Sequence, residues 1–187
     1  LNIPPSPLTG EYNPVGENKS HFGDLGVFQL LGNFPYNISS QILFRVIEYR
    51  RHVAEVVGMF QREVAQRIAS PPGSREYGIL SVLLQAYYDI EILFSVSEKV
   101  FYPRPKVQSA VVRLKRNTLM SPDCDEASWM KIVKLAFNQR RKMLRNSLKT
   151  AAPPDFRKWS DPVFMKRPEQ LSVDDFIMIT NMLHPAT

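Results

Sequence analysis

Asn33-Phe34-Pro35-Tyr36-Asn37-Ile38-Ser39-Ser40, entered from the apolar run Val27-Phe28-Gln29-Leu30-Leu31, decides how this chain folds. The run reads as a buried parallel strand that stops at Gly32. A tight turn follows, made of an amide, an aromatic, a proline and a second aromatic. Pro35 has a fixed φ and no N–H, which stiffens the turn. Ile38-Ser39-Ser40 then opens a helix. In an open α/β sheet, ligands sit at the carboxyl ends of the strands, where this polar turn falls.

Outward from that turn the pattern continues. A helix is expected from Ser39 to Arg50, with Ile42, Leu43, Val46 and Ile47 on one face. Val53 to Phe60 reads as a second buried strand and Arg62 to Ile68 as a short helix. A third helix is expected over Ile79 to Tyr87, then a strand over Ile90 to Val96. Phe101-Tyr102-Pro103-Arg104-Pro105 makes a second turn before a strand over Ala110 to Leu114. The methionines, Met59 among them, read as core. Residues 1–26, rich in Pro, Gly, Ser and Asn, read as loop.

The composition changes after Arg116. Asn117 to Asp125 reads as a linker. Trp129, Ile132, Val133, Ala136 and Phe137 then recur at helical spacing. Ser172 and Asp175 form a capping-box start for a last helix that carries Phe176, Ile179 and Leu183. An all-α unit thus follows the α/β part, and the division is expected at residues 1–118 and 119–187.

Of the 187 residues, 44% are apolar, enough for a packed core, and the net charge is +6. The charge is uneven: Lys99 to Lys149 holds thirteen Lys/Arg against three Asp/Glu. A basic block of that size points to a polyanion partner. Arg140, Arg141, Lys142 and Arg145, at i, i+1, i+2 and i+5, fall near one face of an expected helix that Pro153-Pro154 breaks. Cys124 is the single cysteine, so no internal disulfide forms, which fits a reducing compartment. His21, His52 and His184 are scattered and make no metal constellation with it. No signal-peptide pattern or membrane-length apolar run occurs in these residues, and the expected location is cytoplasmic.

Asn33-Phe-Pro-Tyr resembles the [Asn/Asp/Ser]-Pro-Pro-[Tyr/Phe] class of loop, with Phe34 in place of the first proline, although a plain turn before a helix would use the same residues. The longer match separates the two. Asn33 to Ile42 resembles the adenine-N6 dimethyltransferases of small-subunit ribosomal RNA, the KsgA/Dim1 family. Five further blocks, in order, resemble the same family: Met59-Phe-Gln-Arg-Glu-Val-Ala-Gln-Arg-Ile68, Tyr77-Gly-Ile-Leu-Ser-Val-Leu-Leu-Gln85, Phe101-Tyr-Pro-Arg-Pro-Lys-Val-Gln-Ser109, Phe137-Asn-Gln-Arg-Arg-Lys-Met-Leu-Arg-Asn-Ser-Leu148 and Arg167-Pro-Glu-Gln-Leu-Ser172.

The resemblance implies a fold: the second half of a Rossmann-like class I methyltransferase sheet, followed by a small helical domain. It implies S-adenosylmethionine-dependent dimethylation of N6 on two adjacent adenines near the 3′ end of 16S rRNA, by a monomer acting on the small ribosomal subunit. It implies Asn33, Phe34, Pro35 and Tyr36 as the catalytic loop, with Asn33 and Pro35 also against the cofactor. Tyr36 and Phe101 would stack on a flipped adenine from its two faces. Arg104, Lys106, Arg140, Arg141, Lys142 and Arg145 would hold RNA phosphates. Two other functions are compatible: a large-subunit adenine methylase of the macrolide-resistance type, and an RNA-binding assembly factor without catalysis.

The family's Gly-rich cofactor turn is not found in these 187 residues. Gly10, Gly16, Gly23, Gly26, Gly32, Gly58, Gly73 and Gly78 make no G-x-G-x-x-G. Asp24 stands too close to Asn33 to be the family's adenine-contacting acid. The expectation is therefore an N-terminally truncated chain, itself inactive for lack of the cofactor half.

Overall fold

The structure is a computed structural model, and it describes residues 26–118 and 122–184. The loop expected over residues 1–26 lies almost wholly outside those residues, as does the middle of the linker expected over Asn117 to Asp125.

Strand β1 (Phe28–Asn33) leads through a single 3₁₀ turn at Tyr36–Ile38 into α1 (Ser39–Glu48). Leu43, Val46 and Ile47 fall on one face of α1 and are buried. The chain returns as β2 (Val53–Gln61), parallel to β1, and continues directly into α2 (Arg62–Ala69). Helix α3 (Ile79–Gln85) and the antiparallel strands β3 (Tyr88–Val96) and β4 (Ser109–Arg116) complete the α/β part. Sheet order is β1-β2-β4-β3, with β2 and β4 antiparallel. The β-α-β-α-α-β-β order expected from periodicity is the order found.

One expectation about β1 needs correction. It is parallel, yet only half-buried: Leu31 is 84% exposed, while Phe28 and Leu30 pack against the core. Among the described residues β1 pairs on one side only, with β2, and its alternate side chains point away from the helices. The apolar run, broken only by Gln29, does not report this. The methionines also divide. Met130 is buried, whereas Met143, Met165 and Met178 are exposed, because they lie on the outward side of their segments.

Helix α4 (Glu126–Asn138) is capped by the Asp125 carboxylate, which accepts from the Ser128 N–H at 2.8 Å. Its buried stripe is Trp129, Ile132, Val133 and Ala136. Helix α6 (Val173–Leu183) starts at the expected capping box, where Ser172 and Asp175 exchange hydrogen bonds of 3.0 Å. The helical part joins the α/β part through one apolar cluster that runs from α1 to α6. Tyr87 meets the Trp129 ring edge-on at 6.1 Å. The Tyr87 hydroxyl donates to Glu126 at 2.7 Å, and Arg50 pairs with the same carboxylate at 2.6 Å. Burial keeps the Tyr88 hydroxyl neutral, with its pKa pushed up to about 12, and it donates to the Val53 carbonyl at 3.0 Å.

The expected basic helix does not form. Helix α4 ends at Asn138, and residues 139–142 are a turn in which the Lys142 N–H reaches the Gln139 carbonyl at 2.7 Å. Only the short α5 (Leu144–Ser147) follows. Two causes are visible. Leu144 and Leu148 are fully buried, so the chain must turn to bring them inward. The Arg140 guanidinium also reaches back to donate to the Arg75 carbonyl at 2.6 Å, which holds the turn in place.

Candidate active site

The loop at the end of β1 is built around one ring. Gly32 and Gly58 face each other across β1 and β2. The Phe34 ring lies over both: a Cβ on Gly58 would stand 2.2 Å from Phe34 Cε2, and one on Gly32 would stand 3.6 Å from Cε1. No side chain larger than hydrogen fits at Gly58 unless Phe34 leaves. Phe34 also packs on Phe60, with ring centroids 5.2 Å apart. Its side chain is therefore an anchor, and only its backbone faces the turn. Asn33 and Pro35, on either side, are exposed.

Tyr36 is fixed from the opposite direction. Its hydroxyl shares a short hydrogen bond with Ser109 Oγ, and Ser109 is fully buried at the start of β4. The Ser39 hydroxyl donates to the Tyr36 carbonyl at 3.0 Å, and the Ile38 N–H to the Pro35 carbonyl at 3.2 Å. Ser109 opens the strand into which the second loop leads, so this one bond ties the two loops together. Periodicity could not show that partnership; the only sequence sign of it is Ser109 closing the Phe101–Ser109 block.

Between the loops lies a hollow of about 360 Å³ lined by Asn33, Phe34, Pro35, Tyr36, Phe101, Tyr102, Pro103 and Pro105. That size is at the lower end of small-molecule sites. Tyr36 and Phe101, far apart in sequence, share it. Tyr102, which sequence reasoning did not single out, lines it as well and is fully exposed. The second loop is held at both ends. Glu98 forms an ion pair with Arg104, which also holds the Glu98 carboxyl below its usual range. Gln108 accepts from Arg62 twice, at its backbone carbonyl (2.9 Å) and its side chain (2.5 Å). Arg104 and Lys106 line the adjoining surface with Glu98 and Gln108.

The other cations are placed differently. Arg141, Lys142 and Arg145 are exposed on the turn and on α5. Arg140 is half-buried and occupied, donating to the Ser74 and Arg75 carbonyls, with Glu169 at 4.0 Å. Cys124 is away from the hollow. Burial, reinforced by Asp125, Asp123 and Glu126, pushes its thiol up to about 11, so it is no nucleophile at neutral pH.

The Tyr36–Ser109 tie carries an expected result of its own. Ser109→Ala should lower stability by about 1 kcal/mol, the usual worth of one such bond. Tyr36→Phe should cost at least as much, because it leaves the buried serine hydroxyl alone. The double variant should cost clearly less than the sum. Urea denaturation of the four proteins measures the coupling, and additive losses would mean that the bond contributes nothing.

A strand-end amide beside two aromatic rings describes a base-sized site. The family follows from the chain as a whole, because the sequence profile of the family described as "Ribosomal RNA adenine dimethylase" matches residues 10–184. The chain belongs to that family. Ribosomal RNA small subunit methyltransferase A of Porphyromonas gingivalis is 57% identical over 154 residues, 82% of this chain and 60% of that protein. The protein of the same name from Cytophaga hutchinsonii is 56% identical over 156 residues, 83% of this chain and 60% of that one. The chain thus spans about 60% of the length of these curated relatives.

Among solved structures, a dimethyladenosine transferase from Plasmodium falciparum matches over 82% of this chain and 66% of its own, with a TM-score of 0.69 at 23% identity. The 23S rRNA methyltransferase ErmE matches over 93% of this chain and 69% of its own, with a TM-score of 0.59 at 23% identity. These two likenesses speak for the fold, a mixed α/β arrangement of the Rossmann-like methyltransferase class, as the family resemblance implies. Among the described residues, no helix is long and apolar enough to cross a membrane, and no three potential metal-ligating side chains cluster.

Proposed function

We propose that this dimethylase-family chain forms the substrate-facing part of an enzyme that dimethylates N6 of two adjacent adenines near the 3′ end of 16S rRNA. The observation that carries the reading is the shared hollow: Asn33 and Tyr36 from the loop after β1, and Phe101 from the second turn, line one base-sized space. Residues 1–118 serve as the partial catalytic domain and residues 119–187 as the helical domain.

The residues suit the chemistry. The adenine N6 lone pair is conjugated into the ring, so the amine is a poor nucleophile. The Asn33 side-chain oxygen and the Phe34 or Pro35 carbonyl accept its two N–H groups and favour a pyramidal nitrogen. Tyr36 and Phe101 hold the flipped base between them, each stack being worth about 1–3 kcal/mol. No side chain is needed as general base, because the methylated nitrogen is acidic and releases its proton to water. S-adenosylmethionine, when bound, supplies a methyl group on a sulfonium. Asn33 and Pro35 fit its methyl-bearing end, since both are exposed at the carboxyl end of a parallel strand. The Gly-rich turn that would hold the rest is not among these 187 residues.

Two measurements test the reading. A chain of the relatives' full length carrying this sequence should convert two adjacent adenines of unmethylated small subunits to dimethyladenosine, as read by mass spectrometry of nuclease digests. Label found only in large-subunit RNA would replace the assignment with the macrolide-resistance type. The 187-residue chain alone should show no saturable S-adenosylmethionine binding by titration calorimetry up to millimolar ligand, and should act as an RNA binder without turnover. Clear saturation would show that the cofactor site is built from other residues.

A further inference from the structure

The hollow holds one base, yet the proposed substrate presents two adenines side by side. The neighbour of the flipped base must therefore rest outside it. Tyr102 stands at that rim. Its ring is fully exposed, although both flanking residues, Phe101 and Pro103, line the hollow with it. A large aromatic wholly in water is unusual on a loop held this firmly. The Glu98–Arg104 pair, the Arg62–Gln108 bonds and the Tyr36–Ser109 bond fix the segment at three points, so the ring is presented outward rather than tucked in. The same segment exposes Val100, at 70%, while Lys99, Arg104 and Lys106 outnumber its one acid, Glu98. An exposed aromatic among cations on a fixed loop is the physical form of a single-strand stacking station.

We propose that Tyr102 stacks on the nucleobase adjoining the target adenine, making the second turn a two-base reader: Phe101 inside the hollow and Tyr102 on its rim. The proposal rests on the reading of the hollow as an adenine site. Arg104 is already engaged by Glu98, so Lys106 is the cation beside the hollow that stands ready for the phosphate joining the two nucleotides. Stacking is tolerant of base identity, so Tyr102 sets the position of the neighbour rather than its sequence.

The test is fluorescence anisotropy of the 187-residue chain with short single-stranded RNAs that contain two adjacent adenines, either intact or with the neighbour replaced by an abasic nucleotide. Tyr102→Ala should weaken binding of the intact RNA on the order of tenfold. Tyr102→Phe, which keeps the ring, should stay within about twofold of the parent. On the abasic RNA, parent and Tyr102→Ala should bind alike. Because the ring is exposed, none of these changes should lower thermal stability. Equal binding of parent and Tyr102→Ala to intact RNA would overturn the proposal. So would an equal loss on intact and abasic RNA, which would mark the ring as a general contact, as would a Tyr102-dependent association with protein but not RNA. Phe101→Ala separates this from the underlying reading. If Phe101→Ala weakens binding and Tyr102→Ala does not, only the second station falls. If neither variant has an effect, both fall.

Discussion

Asn33→Ala is expected to slow methyl transfer by about 10²–10³-fold while leaving RNA affinity within about twofold, when made in a chain of the relatives' full length. The size follows from the role. A positioned polar partner aimed at the reacting atom is worth about 2.7–4 kcal/mol where such groups have been removed one at a time. Asn33 is exposed at the end of β1, and neither its burial nor a packing role explains an amide there. The loop should survive the change, because its shape is held by the Phe34 ring over Gly32 and Gly58 and by Tyr36 on Ser109, not by the Asn33 side chain. RNA affinity should survive too, since phosphates and stacked bases supply most of it. A single-turnover assay on unmethylated small subunits reads the rate, and anisotropy reads affinity. Near-normal rates would remove Asn33 from the chemistry. A rate loss matched by an equal affinity loss would make it a binding residue only.

The elements were legible in the sequence because each is encoded by near neighbours. The stripe of Leu43, Val46 and Ile47 in α1, the capping box of Ser172 and Asp175, and the turn at Asn33 to Tyr36 are read within a few residues. What was not legible depends on contacts between distant segments. Gly58 is an ordinary strand glycine until Phe34 is seen lying on it. Ser109 is one more polar residue until Tyr36 reaches it. Arg140 shows the same limit from the other side. Its neighbours make it look like part of a cationic helix face, while the Ser74 and Arg75 carbonyls, more than sixty positions earlier, make it a structural tie. The apolar run before Gly32 reads as buried on both faces, because periodicity cannot tell a central strand from one that pairs on a single side.

That revised role for Arg140 changes what salt should reveal about RNA binding. Arg141, Lys142 and Arg145 are exposed, within a stretch carrying thirteen cations against three acids. If each neutralises one phosphate, each adds about 0.7–0.9 to the slope of log K against log salt. Replacing the three with Ala should therefore flatten the slope by about 2–3, and remove roughly a 15–40-fold loss of affinity between 50 and 200 mM salt. Stability should barely change, since exposed charges each contribute little. Arg140→Ala should do the reverse: the slope stays, while the turn after α4 and the Ser74–Arg75 segment lose their tie and unfold at lower denaturant. Anisotropy of a small-subunit RNA hairpin at several salt concentrations, beside urea melts of the same proteins, measures both. A triple variant with the parent's slope would show these side chains to be ordinary surface. The phosphate footprint would then fall to Lys106 and the second turn, beside the hollow where the adenine is proposed to sit.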